Sequence, residues 1–267
     1  MSGRVPVTAA VITLNEAGNI GACLDSAAWA DERLVLDSGS RDGTLRICQS
    51  MAGVRLEQRS FDDYPHQRNA ALRLASNDWV LFVDADERVT PELAAEVQQT
   101  VTAAQHDGYY VPRYNHILGR VMRHTGWYPD YQMRLLNRRH ARYDEAIPVH
   151  EVVRLEHPVP GYLAGHFVHY NYLTLGQFMR KQRRYSDMEA RRLRNQPLRL
   201  RQLLSMPARE FLRRYCTLRG YRDGGHGLLL STLLAYYALR AQVKALRAGP
   251  DGKAQRLGAG AARAGRG

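Results

Sequence analysis

Three cysteines in 267 residues, Cys23, Cys48 and Cys216, are too few and too scattered to staple a fold or to build a thiolate metal centre. An odd, unspaced set reads as reduced, partly buried thiols of a cytosolic protein. A secretory leader is not expected either, because the apolar stretch Val7–Thr13 is short and runs at once into Asn15-Glu16. Long hydrophobic runs are scarce. The longest in the C-terminal half, near Gly227 to Leu239, falls short of the ~20 residues a spanning helix needs. A membrane span is therefore not expected, whereas a helix lying in the interface is allowed. No GxGxxG follows the first apolar segment and no GxxxxGK[ST] occurs, which excludes a Rossmann dinucleotide site and a P-loop. No internal repeat is visible.

Positive charge is abundant. Lys and Arg number 38 against 26 Asp and Glu, a net +12. Between Gln177 and Asp223 fourteen cations face four acids, so most of the excess lies in one segment. Such a stretch points to an anionic partner: nucleic acid, phospholipid head groups or a phosphorylated acceptor. The plainer reading is a solvated helix face rich in arginine. Nucleic acid fits poorly, since the segment has few aromatics and no recognition motif.

The N-terminal half alternates strand-like and helix-like segments. Strands are expected at Val7–Thr13, Arg33–Leu36, Val54–Gln58 and Val80–Val83. Helices are expected at Gly18–Ala28, Thr44–Met51, His66–Ala75 and from Pro91 to about Gln105. With short loops, this pattern predicts a mostly parallel, doubly wound α/β sheet. Beyond Gly108 the Tyr-, Val- and Arg-rich stretches GYYVPRYNHILG and YQMRLLNRRHARY suit added antiparallel strands. Helices then dominate, at Leu175–Arg194, Pro207–Leu218 and Leu228–Leu246, and the Gly-, Ala- and Arg-rich end from Gly249 reads as a disordered tail.

Ligands of open parallel sheets bind beyond the carboxyl ends of the strands. Here those ends carry Thr13-Leu14-Asn15-Glu16, then Asp37-Ser38, then Asp84, Asp86 and Glu87. Five carboxylates converging on one edge need a cation or hydrogen-bond donors. A divalent metal bound through oxygen is the economical expectation, with substrate phosphate completing sparse protein ligands. Against it, Asp86 and Glu87 could simply cap the helix that opens near Thr90-Pro91.

The set TLNEAGNIGACLDS, VLDSGSRDGT, HQRNAAL and WVLFVDADE, in that order, resembles the family 2 glycosyltransferases over roughly Val7 to Arg88. The resemblance implies a GT-A fold, a UDP-sugar donor and Mg²⁺ or Mn²⁺. It implies that Thr13, Asn15 and Glu16 touch the nucleotide, that Asp37 pairs with the uracil edge, and that Ser38, Ser40 and Asp42 lie in the turn behind it. Gln67, Arg68 and Asn69 fall close to the donor. Asp86 stands on the metal–diphosphate side of the Asp-x-Asp element and Asp84 nearer the ribose.

An inverting transfer also needs a base for the acceptor hydroxyl. Glu151 in AIPVHEVV is the first candidate, Asp130 in WYPDYQMRLL the second, and His150 a metal neighbour or phosphate contact. His166 and His169 in AGHFVHY are read as sharing one strand face, structural rather than beside the diphosphate. Trp127 and Tyr128 suit sugar stacking and burial equally. In the helical end, Pro207, Phe211, Tyr215, Gly220, Asp223, Gly224 and Gly227 resemble the pattern of bacterial lipopolysaccharide-core β-1,4-glucosyltransferases. That resemblance implies a glycolipid acceptor such as an inner-core heptose, and a cytoplasmic enzyme peripheral on the inner membrane. A protein, polyprenyl phosphate or capsular sugar acceptor is the alternative. The expected layout is a catalytic domain at 1–172, divided into a nucleotide half 1–106 and an acceptor half 107–172, then a basic helical extension 173–248 and the tail 249–267.

Overall fold

The structure, a computed structural model, describes residues 4–147, 151–194 and 200–248. Two compact units emerge: residues 4–116 with 129–171, and residues 117–128 with 172 onward. The segment Ile117–Tyr128, expected in the acceptor half, thus groups with the helices.

In the first unit the order is β1 (Val7–Thr13), α1 (Ile20–Ser26), β2 (Glu32–Asp37), α2 (Thr44–Ser50), β3 (Val54–Gln58), α3 (Tyr64–Leu74) and β4 (Trp79–Asp84). There follow β5 (Glu87–Val89), α4 (Pro91–Ala103) and β6 (Gly108–Ile117) and, after β7 (Arg120–Met122) in the second unit, β8 (Asp130–Asn137), β9 (Ala141–Tyr143), β10 (Val153–Leu155), β11 (Gly161–Tyr162) and β12 (Phe167–Tyr172). Strands β3, β2, β1 and β4 run parallel, and β8, β6, β12 and β5 extend the sheet with antiparallel pairings at β4–β8, β8–β6 and β12–β5. This is the mixed α/β sheet expected, with short strands, β5 and β11 among them, that its periodicity did not suggest.

Strand β1 is central because VTAAVIT is apolar on both faces, as a strand covered on both sides must be. Alternation sends Val7, Val11, Val35, Leu81 and Val83 to one side, against Ile20, Leu24, Leu93 and Val97. Ala10, Leu34, Leu36, Val80 and Phe82 go to the other, against Ala70, Ala71 and Leu72 of α3. Register pairs Thr13 with Asp37 and Ile12 with Asp84, so β1, β2 and β4 end level on one edge.

After β4 the chain turns at Ala85-Asp86 and returns as β5, where a helix entry was expected to follow directly. Thr90, not an acid of the VDADE stretch, caps α4 by accepting from the Leu93 amide (3.2 Å).

The second unit holds α5 (Leu175–Leu193), α6 (Leu200–Leu212), a π-helical turn (Arg213–Thr217), a 3₁₀ turn (Gly220–Asp223) and α7 (Gly224–Ala248). Helix α6 begins seven residues before the expected start and carries Pro207 inside it, forgoing one backbone bond there. Ile117, Met122, Tyr172, Phe178 and Leu230 form a core against which Trp127 packs, so that indole serves burial. Asp223 is buried and accepts from the amides of Arg123 (3.3 Å) and His124 (3.0 Å) and the Thr125 hydroxyl (2.8 Å). Among the described residues no helix is long and apolar enough to cross a membrane.

Candidate active site

The two loops at the level strand ends are knitted to each other. Asp37 is fully buried, and its carboxylate accepts from the amides of Gly39 and Ser40 (both 2.8 Å) and from the Ser40 hydroxyl. Ser40 Oγ in turn accepts from the Asn15 amide (2.8 Å), while Asn15 Oδ1 accepts from the Arg41 amide (2.8 Å). Asn15 adopts φ 56°, a left-handed conformation that asparagine tolerates. Asp42 accepts from the amides of Ala17 (3.1 Å) and Thr44 (2.9 Å), and Thr44 Oγ1 accepts from the Glu16 amide (2.8 Å). Asp37 therefore shapes its turn from beneath, through three hydrogen bonds within the loop. Thr13 is buried at the end of β1, and Ser38 Oγ accepts from Gln67 Nε2 (3.1 Å).

The rest of the acidic edge is neutralised by arginine. Arg68, almost fully buried, donates through Nη2 to Asp84 (2.9 Å) and through Nε to Glu151 (2.6 Å). Its guanidinium lies over the rings of Phe82 and Tyr143, at 5.0 and 5.7 Å. Arg134 donates to Asp84 and lies 3.6 Å from Glu151. Arg113 donates to Glu87 (3.0 Å) and to Asp130 through Nε (3.0 Å) and Nη2 (2.7 Å). Burial alone would raise the Asp84 pKa, yet the charges of Arg134, Arg68 and Arg113 hold it well below the usual carboxylate range. Glu87 has no exposure and accepts from the Asp84 amide (3.0 Å); burial and the Asp84 charge push its pKa up. Glu87 is thus a buried brace under Asp84, neither a helix cap nor a metal-facing group.

Asp130 accepts from Arg113, Asn115 Nδ2 (3.0 Å) and Gln132 Nε2 (2.9 Å). Burial raises its pKa, but Arg113 and these hydrogen bonds outweigh that and leave it lowered. A carboxylate so saturated is a poor proton acceptor. Glu151 keeps about a third of its side chain exposed and is positioned by Arg68. His150 lies outside the described residues. Asn69 ties α3 to β9 through the Tyr143 backbone (2.9 and 2.8 Å), so Gln67, Arg68 and Asn69 form a buried floor.

Asp86 has a different neighbour. Pairing of β5 with β12 sets His169 opposite Glu87, and the Tyr170 amide donates to the Asp86 carbonyl (2.9 Å). His169 Nε2 then faces Asp86 Oδ2 at 3.3 Å. Asn115 Nδ2 is committed to Asp130, which turns Asn115 Oδ1 toward His169 Nδ1 (2.8 Å). Nδ1 consequently donates, and the Nε2 lone pair of a neutral ring points at a carboxylate oxygen. Either a proton on Nε2 or a cation against both atoms resolves that opposition. The brace on Nδ1 is the kind a metal-binding histidine uses. One carboxylate and one imidazole suit a divalent ion whose remaining positions go to phosphate oxygens and water. Among the described residues no group of three or more His, Cys, Asp or Glu forms a metal centre by itself. His166, three residues before His169, is not on its face and instead stacks on Tyr114 at 4.0 Å, correcting the expectation that the two share a side.

Sequence reasoning missed Arg113, Asn115, Arg134 and the role of His169. The one available signal was Arg134 in QMRLLN, a charge between Met133 and Leu135 in an otherwise apolar strand.

Comparison with known proteins bears on the family. The model of "Glycosyl transferase family 2" matches residues 8–152. A lipopolysaccharide core biosynthesis glycosyltransferase, LpsC of Rhizobium meliloti (strain 1021), is 30% identical over 94% of this chain and 97% of its own. An uncharacterized glycosyltransferase of Rickettsia bellii is 35% identical over 39% of this chain and 35% of its own. Among solved structures, S. aureus TarS 1-349 in complex with UDP aligns over 88% of this chain and 90% of its own, at 14% identity and a TM-score of 0.47. A family match across more than half of the chain, together with a relative aligned almost end to end, settles the family: this protein is a family 2 glycosyltransferase.

Proposed function

We propose that the protein moves a hexose, glucose in the first instance, from a UDP-sugar to a glycolipid acceptor of the lipopolysaccharide inner-core heptose type, with inversion. The observation that carries the donor side is the pair Asp86–His169, two acceptor atoms 3.3 Å apart beside acids already neutralised by arginine. A divalent ion, Mg²⁺ or Mn²⁺, would be held there by Asp86 and His169, and when bound it would offset charge on the departing diphosphate. Asp84, fixed by Arg68 and Arg134, orients the donor. The nucleotide rests on the loops of Thr13, Asn15 and Glu16 and of Ser38, Ser40 and Asp42, with Asp37 holding their shape. Glu151 takes the proton of the acceptor hydroxyl as its oxygen attacks the anomeric carbon and the bond to the diphosphate breaks. The name of the Rhizobium relative supports the acceptor class, and the arginine-rich second unit suits a site of action on the cytoplasmic face of an inner membrane. A protein, polyprenyl phosphate or capsular sugar acceptor is the second reading; product analysis with labelled donor separates them.

Thermal-shift measurements with UDP-, GDP- and CMP-sugars, each with and without Mn²⁺, test the donor reading. Stabilisation by UDP-sugars that needs Mn²⁺, and that is lost in both Asp86→Ala and His169→Ala, is the expected result. A GDP preference, or metal dependence surviving both substitutions, overturns it.

A further inference from the structure

Helix α7 has three faces. Gly227, Leu230, Ser231, Ala235, Tyr237, Ala241, Gln242 and Ala245 are buried. Leu228, Thr232, Tyr236, Leu239, Val243 and Leu246 recur every third or fourth residue and therefore share a second face. Leu228, Tyr236 and Leu246 on it are 46%, 56% and 42% exposed, and no charged residue interrupts the stripe. Arg240, Lys244 and Arg247 fall on a third, narrower arc beside it, and α7 contains no Asp or Glu. A largely apolar stripe of about 27 Å, at 1.5 Å per residue from Leu228 to Leu246 and exposed at Leu228, Tyr236 and Leu246, calls for an occupant.

Helix α5 supplies the neighbouring charge. It buries Phe178, Gln182, Ser186, Ala190 and Leu193 and exposes Lys181, Arg184, Arg191 and Arg192, with Tyr185 and Met188 among them. The seam between the helices is fixed by Arg240 and Lys244, which both pair with Asp187, the latter at 3.0 Å. Tyr237 Oη donates across it to the Met179 carbonyl (3.2 Å). Because Arg240 and Lys244 lie between the buried face and the apolar stripe, the stripe opens on the side of that seam where the cations of α5 begin.

We infer that this α5–α7 face of the second unit is an interfacial membrane-docking surface. The apolar stripe of α7 enters the acyl boundary of an anionic bilayer, and exposed α5 cations together with Arg247 engage lipid phosphates. Charge decides among the occupants. A second copy would bring cationic rims together, and residues 249–267 contain one leucine and no aromatic residue with which to cover the stripe. An anionic bilayer complements both features. The inference rests on the glycolipid reading only in taking the bilayer as the place where the acceptor resides.

Flotation of the full chain, without donor or metal, on phosphatidylcholine vesicles with and without phosphatidylglycerol tests it. Binding is expected to require the anionic lipid. Arg184→Gln with Arg191→Gln is expected to weaken it about fivefold per cation at low salt. Leu228→Ser with Tyr236→Ser is expected to abolish the part that survives high salt, and a Tyr236→Trp side chain is expected to be quenched by brominated acyl chains. Transfer to a water-soluble acceptor fragment without vesicles is expected to be unchanged by the stripe variants, which separates this inference from the catalytic reading. Three results overturn it: equal binding to neutral vesicles, stripe variants that bind like the parent, or a concentration-dependent dimer that the stripe variants abolish.

Discussion

Arg68 joins Asp84 to Glu151 from beneath, with its guanidinium held between two aromatic rings, so it acts on the chemistry through other side chains. The two base candidates separate on this scale. Asp130 is spent on Arg113, Asn115 and Gln132, whereas Glu151 faces outward from its arginine anchor. Steady-state kinetics of Glu151→Gln is expected to show kcat reduced at least about a hundredfold with donor binding retained. Asp130→Asn is expected to act differently, lowering stability because Arg113 loses a charged partner and His169 loses the chain of bonds that orients it. A fall in kcat for Asp130→Asn as large as that for Glu151→Gln, at unchanged thermal midpoint, would reverse the assignment. The acids were legible because VDADE and its companions cluster at strand ends. The arginines that neutralise them were not, because Arg113 sits in an alternating stretch where a charge reads as solvent-facing.

Helices and strands whose apolar period is clean, Val54–Gln58 above all, fall where the periodicity puts them. The three-residue β5 has no period to read, and it is the element that delivers His169 to Asp86. In the second unit the Gly220–Gly227 stretch is explained by close approach. A Cβ on Gly227 would lie 1.9 Å from the Gly220 carbonyl oxygen, and Asp223 between them gathers the backbone of Arg123 and His124. Urea unfolding of Gly227→Ala is expected to show a loss of about 1–3 kcal/mol from overpacking. Asp223→Asn, with a single acceptor oxygen, is expected to cost about 1–3 kcal/mol and to speed exchange of the Arg123 and His124 amides. Unchanged exchange in Asp223→Asn would show that the loop is held by something else.

Across the molecule the charge balance of the first unit sets its acid response. Asp84 has a folded pKa below its unfolded value, so its stabilising contribution is complete above about pH 4 and drains away as pH falls toward the folded value. Asp130, also lowered, adds in the same direction. Asp84→Asn leaves Arg134 and Arg68 short of a charged partner and is expected to cost about 3 kcal/mol near neutrality. The thermal midpoint of that variant is expected to fall less steeply than the parent's below pH 4; parallel curves would count against the arginine cage. The sequence by itself determined the alternating α/β plan, the family and the acidic edge, because burial period and strand-end chemistry are local properties of the chain. Only the tertiary structure decided which acids are spent and which are available. Arg68, Arg113, Arg134 and His169 reach that edge from four separate elements, and their neutralisation of Asp84, Glu87 and Asp130 depends on register and distance.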